Sequence, residues 1–175
     1  MKLIEPCFKY KDEYDNYLRE IYKANETNKL GEALQKSNET FDEMILRGKK
    51  LSCGENRVGM MKPTTVFWIM EKDKIVGSMN LRHELSEFTY YTIGHLGYYI
   101  RPSERNKGYA TKALNLAKKF YKKLGLKKIL VICDKKNIAS EMVILKNGGK
   151  LELEMLSFNQ QMILRRFWLD LNKSD

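Results

Sequence analysis

Cysteine and histidine are scarce in this chain, and no stretch of it is apolar for long. Three cysteines, Cys7, Cys53 and Cys133, make an odd number without metal-ligand spacing, and only His83 and His95 stand beside them. Neither a disulfide framework nor a zinc site is expected, and the thiols read as reduced, with Cys133 in a core strand. No apolar run approaches the roughly 18 residues of a membrane span. Met1-Lys2-Leu3-Ile4-Glu5 also lacks the apolar core of a secretory signal. Internal repeats and low-complexity segments are missing too. The expectation is a soluble, cytoplasmic protein without metal or membrane partner.

Acidic residues are missing from one place in particular. Between Arg101 and Lys136, twelve Lys and Arg stand against two acids, Glu104 and Asp134, a local net of +10, while the rest of the chain carries twenty of each sign. The whole formal excess of +10 thus sits in one segment. Its concentration around one turn and the following helix favours a compact multiphosphate ligand. Lys118, Lys119, Lys122 and Lys123 equally suit the solvated face of that helix.

A hydrophobic content of 43% over 175 residues fits one domain spanning 1–175. Met1 to Ile4 reads as a short strand. Asp12 to Lys23 carries Tyr14, Tyr17, Leu18, Ile21 and Tyr22 at helical spacing. Asn38 or Thr40 caps a second helix through Leu46, ending near Gly48, and Lys49 to Pro63 reads as a long, functional loop. Thr64 to Glu71 and Ile75 to Leu81 form a hairpin, and Leu85 to Thr92 is an aromatic, acidic connection. After a strand from Gly94 to Ile100, a helix buries Ala110, Ala113, Leu114, Ala117, Phe120, Tyr121 and Leu124, and Gly125 stops it. Lys128 to Cys133 reads as a strand covered on both faces, reached by a right-handed β-α-β crossover that makes the two strands parallel. Asn137 caps a helix to Asn147, and Leu151 to Leu156 and Met162 to Leu171 are final antiparallel strands. The fold class is α/β, with a mixed sheet flanked by helices.

Arg105-Asn106-Lys107-Gly108-Tyr109-Ala110 lies where the strand passes into the basic helix. A helix start leaves N–H groups unpaired at the positive end of the dipole, a ready phosphate site. Gly108 admits a ligand close to the backbone, and Ala110 keeps the next position small. This pattern, after a strand ending in Arg101-Pro102 and before a buried strand and Asn137, resembles the GNAT N-acetyltransferases. The central resemblance covers Gly94 to Gly149. The stretches Gly94 to Arg105 and Cys133 to Ser140 look like a poorly characterised bacterial subgroup of predicted acetyltransferases.

The resemblance implies an acyl-CoA N-acyltransferase fold with two splayed central parallel strands. It implies a single N-acetyltransferase domain that takes acetyl-CoA and an amine acceptor, as a monomer or homodimer. Main-chain N–H groups from Asn106 to Thr111 would wrap the pyrophosphate, with Arg105, Lys107, Gly108, Tyr109 and Ala110 around it. Tyr99 and Ile100 would pair with pantetheine and polarise the thioester carbonyl. Asn137 would contact pantetheine or simply cap its helix, and Ser140 stands where a small residue is usual. The general base many relatives carry on this strand is absent, leaving His95 as candidate. Ile144 stands where many relatives have the acidic Tyr, so water or a nearby hydroxyl would protonate departing coenzyme A. Two rivals stay open: an acetyl-CoA-binding module without turnover, and a basic RNA-binding domain. The RNA reading lacks paired RNP aromatics and a GXXG clamp, so nucleic acid is not expected as a partner.

Overall fold

The computed structural model describes residues 1–55, 62–158 and 161–172. Seven strands and five α-helices alternate along these residues. Strand β1 (Lys2–Ile4) is followed by α1 (Lys11–Lys23), which buries Tyr14, Tyr17, Leu18 and Ile21 as one stripe. Tyr22, expected on that stripe, falls off it and is exposed.

Helix α2 (Phe41–Cys53) starts at a capping box, in which Thr40 accepts from the Glu43 amide and Glu43 accepts from the Thr40 amide. It runs through Gly48 and ends at Gly54, a left-handed residue at φ 72°. An interior glycine costs about 1 kcal/mol relative to alanine, and burial of Met44, Ile45 and Leu51 offsets it. The long loop expected from Lys49 is therefore helix as far as Cys53, and residues 56–61 of it lie outside the described residues.

Strands β2 (Thr64–Glu71) and β3 (Lys74–Arg82) form the expected hairpin. The connection after it contains a short helix, α3 (Glu87–Thr92), capped by Ser86. Strand β4 (Leu96–Ile100) leads to α4 (Tyr109–Lys123), then β5 (Lys128–Asp134), α5 (Ile138–Lys146), β6 (Lys150–Leu156) and β7 (Ile163–Asp170). Leu124, expected in the buried stripe of α4, lies beyond its last turn and is exposed.

The sheet is divided. Strands run β1-β2-β3-β4 in one sheet and β5-β7-β6 in the other, and every named pairing is antiparallel. Strands β4 and β5, expected as parallel neighbours, touch only at their base. There Gly94 bridges Val131, and the His95 amide donates to the Leu130 carbonyl at 2.8 Å. One apolar core, including Leu81, Leu96, Ala117, Tyr121, Val131 and Phe167, joins the sheets to α4. A second, including Tyr14, Tyr17, Phe41, Trp68 and Tyr99, packs α1 and α2 on the other side of the first sheet.

The base of the fork demands glycine. Gly94 has φ 65°, and a Cβ there would lie 2.5 Å from the Leu130 carbonyl oxygen. Gly97 has nothing within 4 Å of such a Cβ. Gly94→Ala is therefore expected to cost more than about 2 kcal/mol, and Gly97→Ala less than about 1 kcal/mol. Denaturant midpoints of the two variants test this; equal losses would show that the fork does not depend on Gly94.

Candidate functional site

Above their shared base, β4 and β5 diverge around a cavity of about 1000 Å³. One wall is β4, from Leu96 to Ile100, and the other is β5, from Val131 to Asp134. The turn after β4 and the start of α5 close its ends.

Antiparallel pairing decides which main-chain groups face this gap. Arg101 donates to Val76 at 3.0 Å and Arg82 to the His95 carbonyl at 2.8 Å, both between β3 and β4. Alternation then turns Gly97 and Tyr99 toward β3, and Leu96, Tyr98 and Ile100 toward the gap. Tyr99 and Ile100 both line the cavity, but of the two only Ile100 offers its N–H to the gap. Tyr98, which the sequence reading left out, supplies the second. Its phase could not be read without the register.

The turn is built from left-handed residues, Asn106 at φ 62° and Gly108 at φ 77°. Gly108 has no side-chain cap to offer, and the first helical bond runs from Lys112 to its carbonyl at 3.2 Å. The N–H groups of Tyr109, Ala110 and Thr111 are left open, making an anion-binding nest at the positive end of α4. Arg105, Asn106, Gly108, Tyr109, Ala110 and Thr111 all line the cavity. Lys107 does not, because its ammonium turns to Glu104 at 2.9 Å.

The Arg105 guanidinium is engaged before any ligand arrives. It pairs closely with Glu26, donates to the Ile100 carbonyl at 3.1 Å and lies over the Tyr99 ring. Burial works against the Glu26 carboxylate, yet hydrogen bonds from Arg105, Lys29 and Tyr99 hold it down at about 2.

At the start of α5, Asn137 lines the cavity and its side-chain oxygen accepts from the Ser140 amide at 3.0 Å as a helix cap. Ser140 reaches across the gap: its hydroxyl lies 2.9 Å from the Tyr98 phenol. Burial pushes that phenol up to about 12. Ile144 points away, fully buried in the core. Lys29, between α1 and α2, also lines the cavity, whereas no residue from Arg82 to Thr92 does.

A profile described as an acetyltransferase (GNAT) domain matches residues 9–150. The chain belongs to the GNAT acetyltransferase family. Among curated proteins none matches the sequence. Solved structures do. The microcin C7 self-immunity acetyltransferase MccE, in complex with acetyl-CoA and AMP, superposes with a TM-score of 0.67 at 18% identity, over 96% of this chain and 91% of that one. An N-acetyltransferase from Staphylococcus aureus Mu50 gives 0.62 at 20% identity, over 98% and 100%. The putative acetyltransferase yncA from Salmonella typhimurium, with acetyl-CoA, gives 0.62 at 14% identity, over 99% and 95%. At these identities the likeness is one of fold.

His95 sits at the fork of this GNAT domain, not in the lining of the cavity. Its Nδ1 accepts from the Leu130 amide at 2.9 Å, and its carbonyl accepts from the Tyr121 hydroxyl at 2.6 Å. With Nδ1 filled, the neutral ring carries its proton on Nε2. Burial holds the imidazole at about 4, against the pull of the Leu130 bond, and nearby Arg82 pushes the same way. A ring so placed has no free lone pair for a substrate proton.

The cations of the basic segment do not converge either. Arg101 pairs with Glu13 and Glu20, Lys107 with Glu104 and Lys135 with Glu154. Lys118, Lys127 and Lys128 line a different cavity. The expected single multiphosphate focus accounts for Arg105 and Lys136, which line the first cavity.

The His95 environment has a stability signature. A ring at about 4 when folded and about 6.5 when unfolded binds more protons in the unfolded chain between those values. Stability is full above pH 6.5 and is lost as pH falls toward 4, by about 3 kcal/mol. His95→Gln, which keeps an acceptor for Leu130, is expected to flatten this window. Unfolding free energies from pH 4 to 7 measure it, and an unchanged slope in the variant would assign the window to other groups, His83 first.

Proposed function

We propose that this GNAT domain transfers the acetyl group of acetyl-CoA to a primary amine by direct attack. The observation that carries the reading is the continuity of one cavity from the left-handed turn at Asn106 and Gly108 to the gap-facing edge of β4. That cavity suits a long ligand with phosphates at one end and a polar chain along the other. Both acetyl-CoA-bound neighbours support it as analogies of fold.

In this reading the amides of Asn106 to Thr111 hold the pyrophosphate. The Tyr98 and Ile100 edge pairs with the pantetheine chain and turns an N–H toward the thioester carbonyl, where charge develops during attack. Asn137 adds its amide nitrogen from the other wall.

With the His95 ring committed to Leu130, the amine attacks in its own neutral fraction, and the ascending pH limb follows the acceptor's ionisation.

The linked hydroxyls of Tyr98 and Ser140 give the departing coenzyme A thiolate its proton and are restored by the proton that the attacking nitrogen sheds on becoming an amide. A phenol near 12 stays protonated throughout the working range. No descending limb is expected below about pH 10. Ser140→Ala and Tyr98→Phe should each lower kcat by up to about 10²-fold with little change in coenzyme A affinity. The log of kcat against pH from 6 to 10, for wild type and both variants with an amine found by a coenzyme A release screen, tests the assignment. A wild-type rate that falls steeply above pH 9, or variants at full rate, would remove these hydroxyls from the role.

The turn has its own test. Gly108→Val should weaken coenzyme A binding at least tenfold, about 1.4 kcal/mol, because the side chain fills the space in front of the nest. Gly125→Val, at a similar φ of 81° beyond α4, imposes the same backbone strain away from the cavity. Calorimetry giving equal affinities for the two variants would overturn the placement.

A further inference from the structure

The charge that the acetyl-CoA site leaves unused is gathered at the opposite end of α4. From Tyr109 to Cys133 the sequence has seven lysines and no acid. Helix α4 has 15 residues, so its last turn lies about 20 Å from the nest at its first. Screening in ordinary buffer acts over about 8 to 10 Å, and lysines at the far end therefore contribute little to a phosphate in the turn. Among the described residues, Lys119, Lys122, Lys123, Lys127 and Lys150 enter no ion pair, and Lys128 lies over the Trp168 ring at 4.4 Å, within the field of Glu152.

These lysines surround a second cavity of about 420 Å³. Lys118, Lys127, Lys128 and Lys150 line it together with Trp168 and the amides Asn147 and Asn172. Asp170, opposite Lys128 on β7, is the one carboxylate among its described lining residues. The volume suits a group the size of one nucleotide. Lys122 continues the patch one turn beyond Lys118 on the same side of α4, outside the cleft. The cationic surface is thus longer than the cavity it contains, which fits a polymer better than a free phosphate compound. Its lysines come from α4, β5 and β6 around a concavity, a shape that a flat membrane surface cannot enter.

We propose that this cleft and its surrounding lysines bind a single-stranded nucleic-acid segment, with phosphates on the lysines and one base against Trp168. Positive grooves with an aromatic platform bind such strands through these two contacts. The site is separate from the acetyl-CoA cavity, and both can be filled at once.

The probe is a short fluorescein-labelled oligouridylate, followed by anisotropy over a range of salt concentrations. The triple variant Lys122→Ala, Lys127→Ala, Lys150→Ala removes three exposed patch cations. Lys11→Ala, Lys23→Ala, Lys50→Ala removes three exposed cations elsewhere, so net charge is matched. The patch variant is expected to bind at least tenfold more weakly and to lose roughly 2 from the salt slope, about 0.7 per phosphate contact. The control should stay within about threefold of wild type, melting temperatures of both should be unchanged, and saturating coenzyme A should not displace the strand. Equal weakening in the two variants, displacement by coenzyme A, or no binding at low salt would overturn the proposal. Binding to phosphatidylserine vesicles but not to the strand would overturn it in favour of a membrane surface.

Discussion

The fork between β4 and β5 closes on Gly94 and His95, and His95 meets β5 with both its backbone and its imidazole. His95 closes the base of the two strands with its amide on the Leu130 carbonyl and its Nδ1 on the Leu130 amide. The second bond requires the neutral ring, and burial keeps it neutral by holding it at about 4. Loss of the ring nitrogen would leave the Leu130 amide buried and unpaired, at a cost of about 1–3 kcal/mol. Below this point the sheets are joined by core; above it they part, and the cavity is the consequence. The shape of the cavity thus depends on a residue outside its lining.

A second set of contacts fixes the turn relative to the fork. Arg101 is buried at the end of β4, donating to Glu20 at 2.7 Å, to Glu13 and to the Ile75 carbonyl, while Glu20 accepts from the Ser103 amide at 2.7 Å. Helix α1 is thereby tied to the segment that precedes the nest. Arg105 is tied to the same side through Glu26. Since Glu26 already neutralises it, the anion affinity of the turn rests on oriented amides and the helix dipole more than on a free guanidinium. Gly108, with open space where a Cβ would stand, therefore weighs more in the proposed phosphate end of the cavity than the sign of the side chains around it.

The local grammar of the sequence carried most of the fold. The stripe of α1, the hairpin, the helix stop at Gly125 and the turn at Gly108 all depend on neighbours within a few residues. What it could not show depends on partners far away. Gly48 looked like a helix end, and only the buried face of α2 overrides it. Tyr98 and Tyr99 are adjacent aromatics with equal claims on the gap, and the β3 register separates them. His95 had the right pKa range for a base until burial and the Leu130 amide removed it. Ile144, which stands where many relatives have a Tyr, is buried in the core, and the hydroxyl pair at the cavity joins residues 42 apart.

Charge was the feature most easily misread, because sequence proximity and spatial proximity differ along a helix. The positive end of the α4 dipole serves the nest, and the negative end is complemented by Lys122 and Lys123 in its last turn, each worth about 0.3–1 kcal/mol. That local effect explains two cations. It falls off within one turn, so Lys127, Lys128 and Lys150, which lie on the strands beyond or just before them, gain nothing from it. Their repulsion in one cleft works against folding, and Asp170 and Glu152 offset part of it. Like charge gathered around a concave, aromatic-lined surface is the arrangement that an anionic partner relieves, which is the ground for the site proposed at the far end of α4.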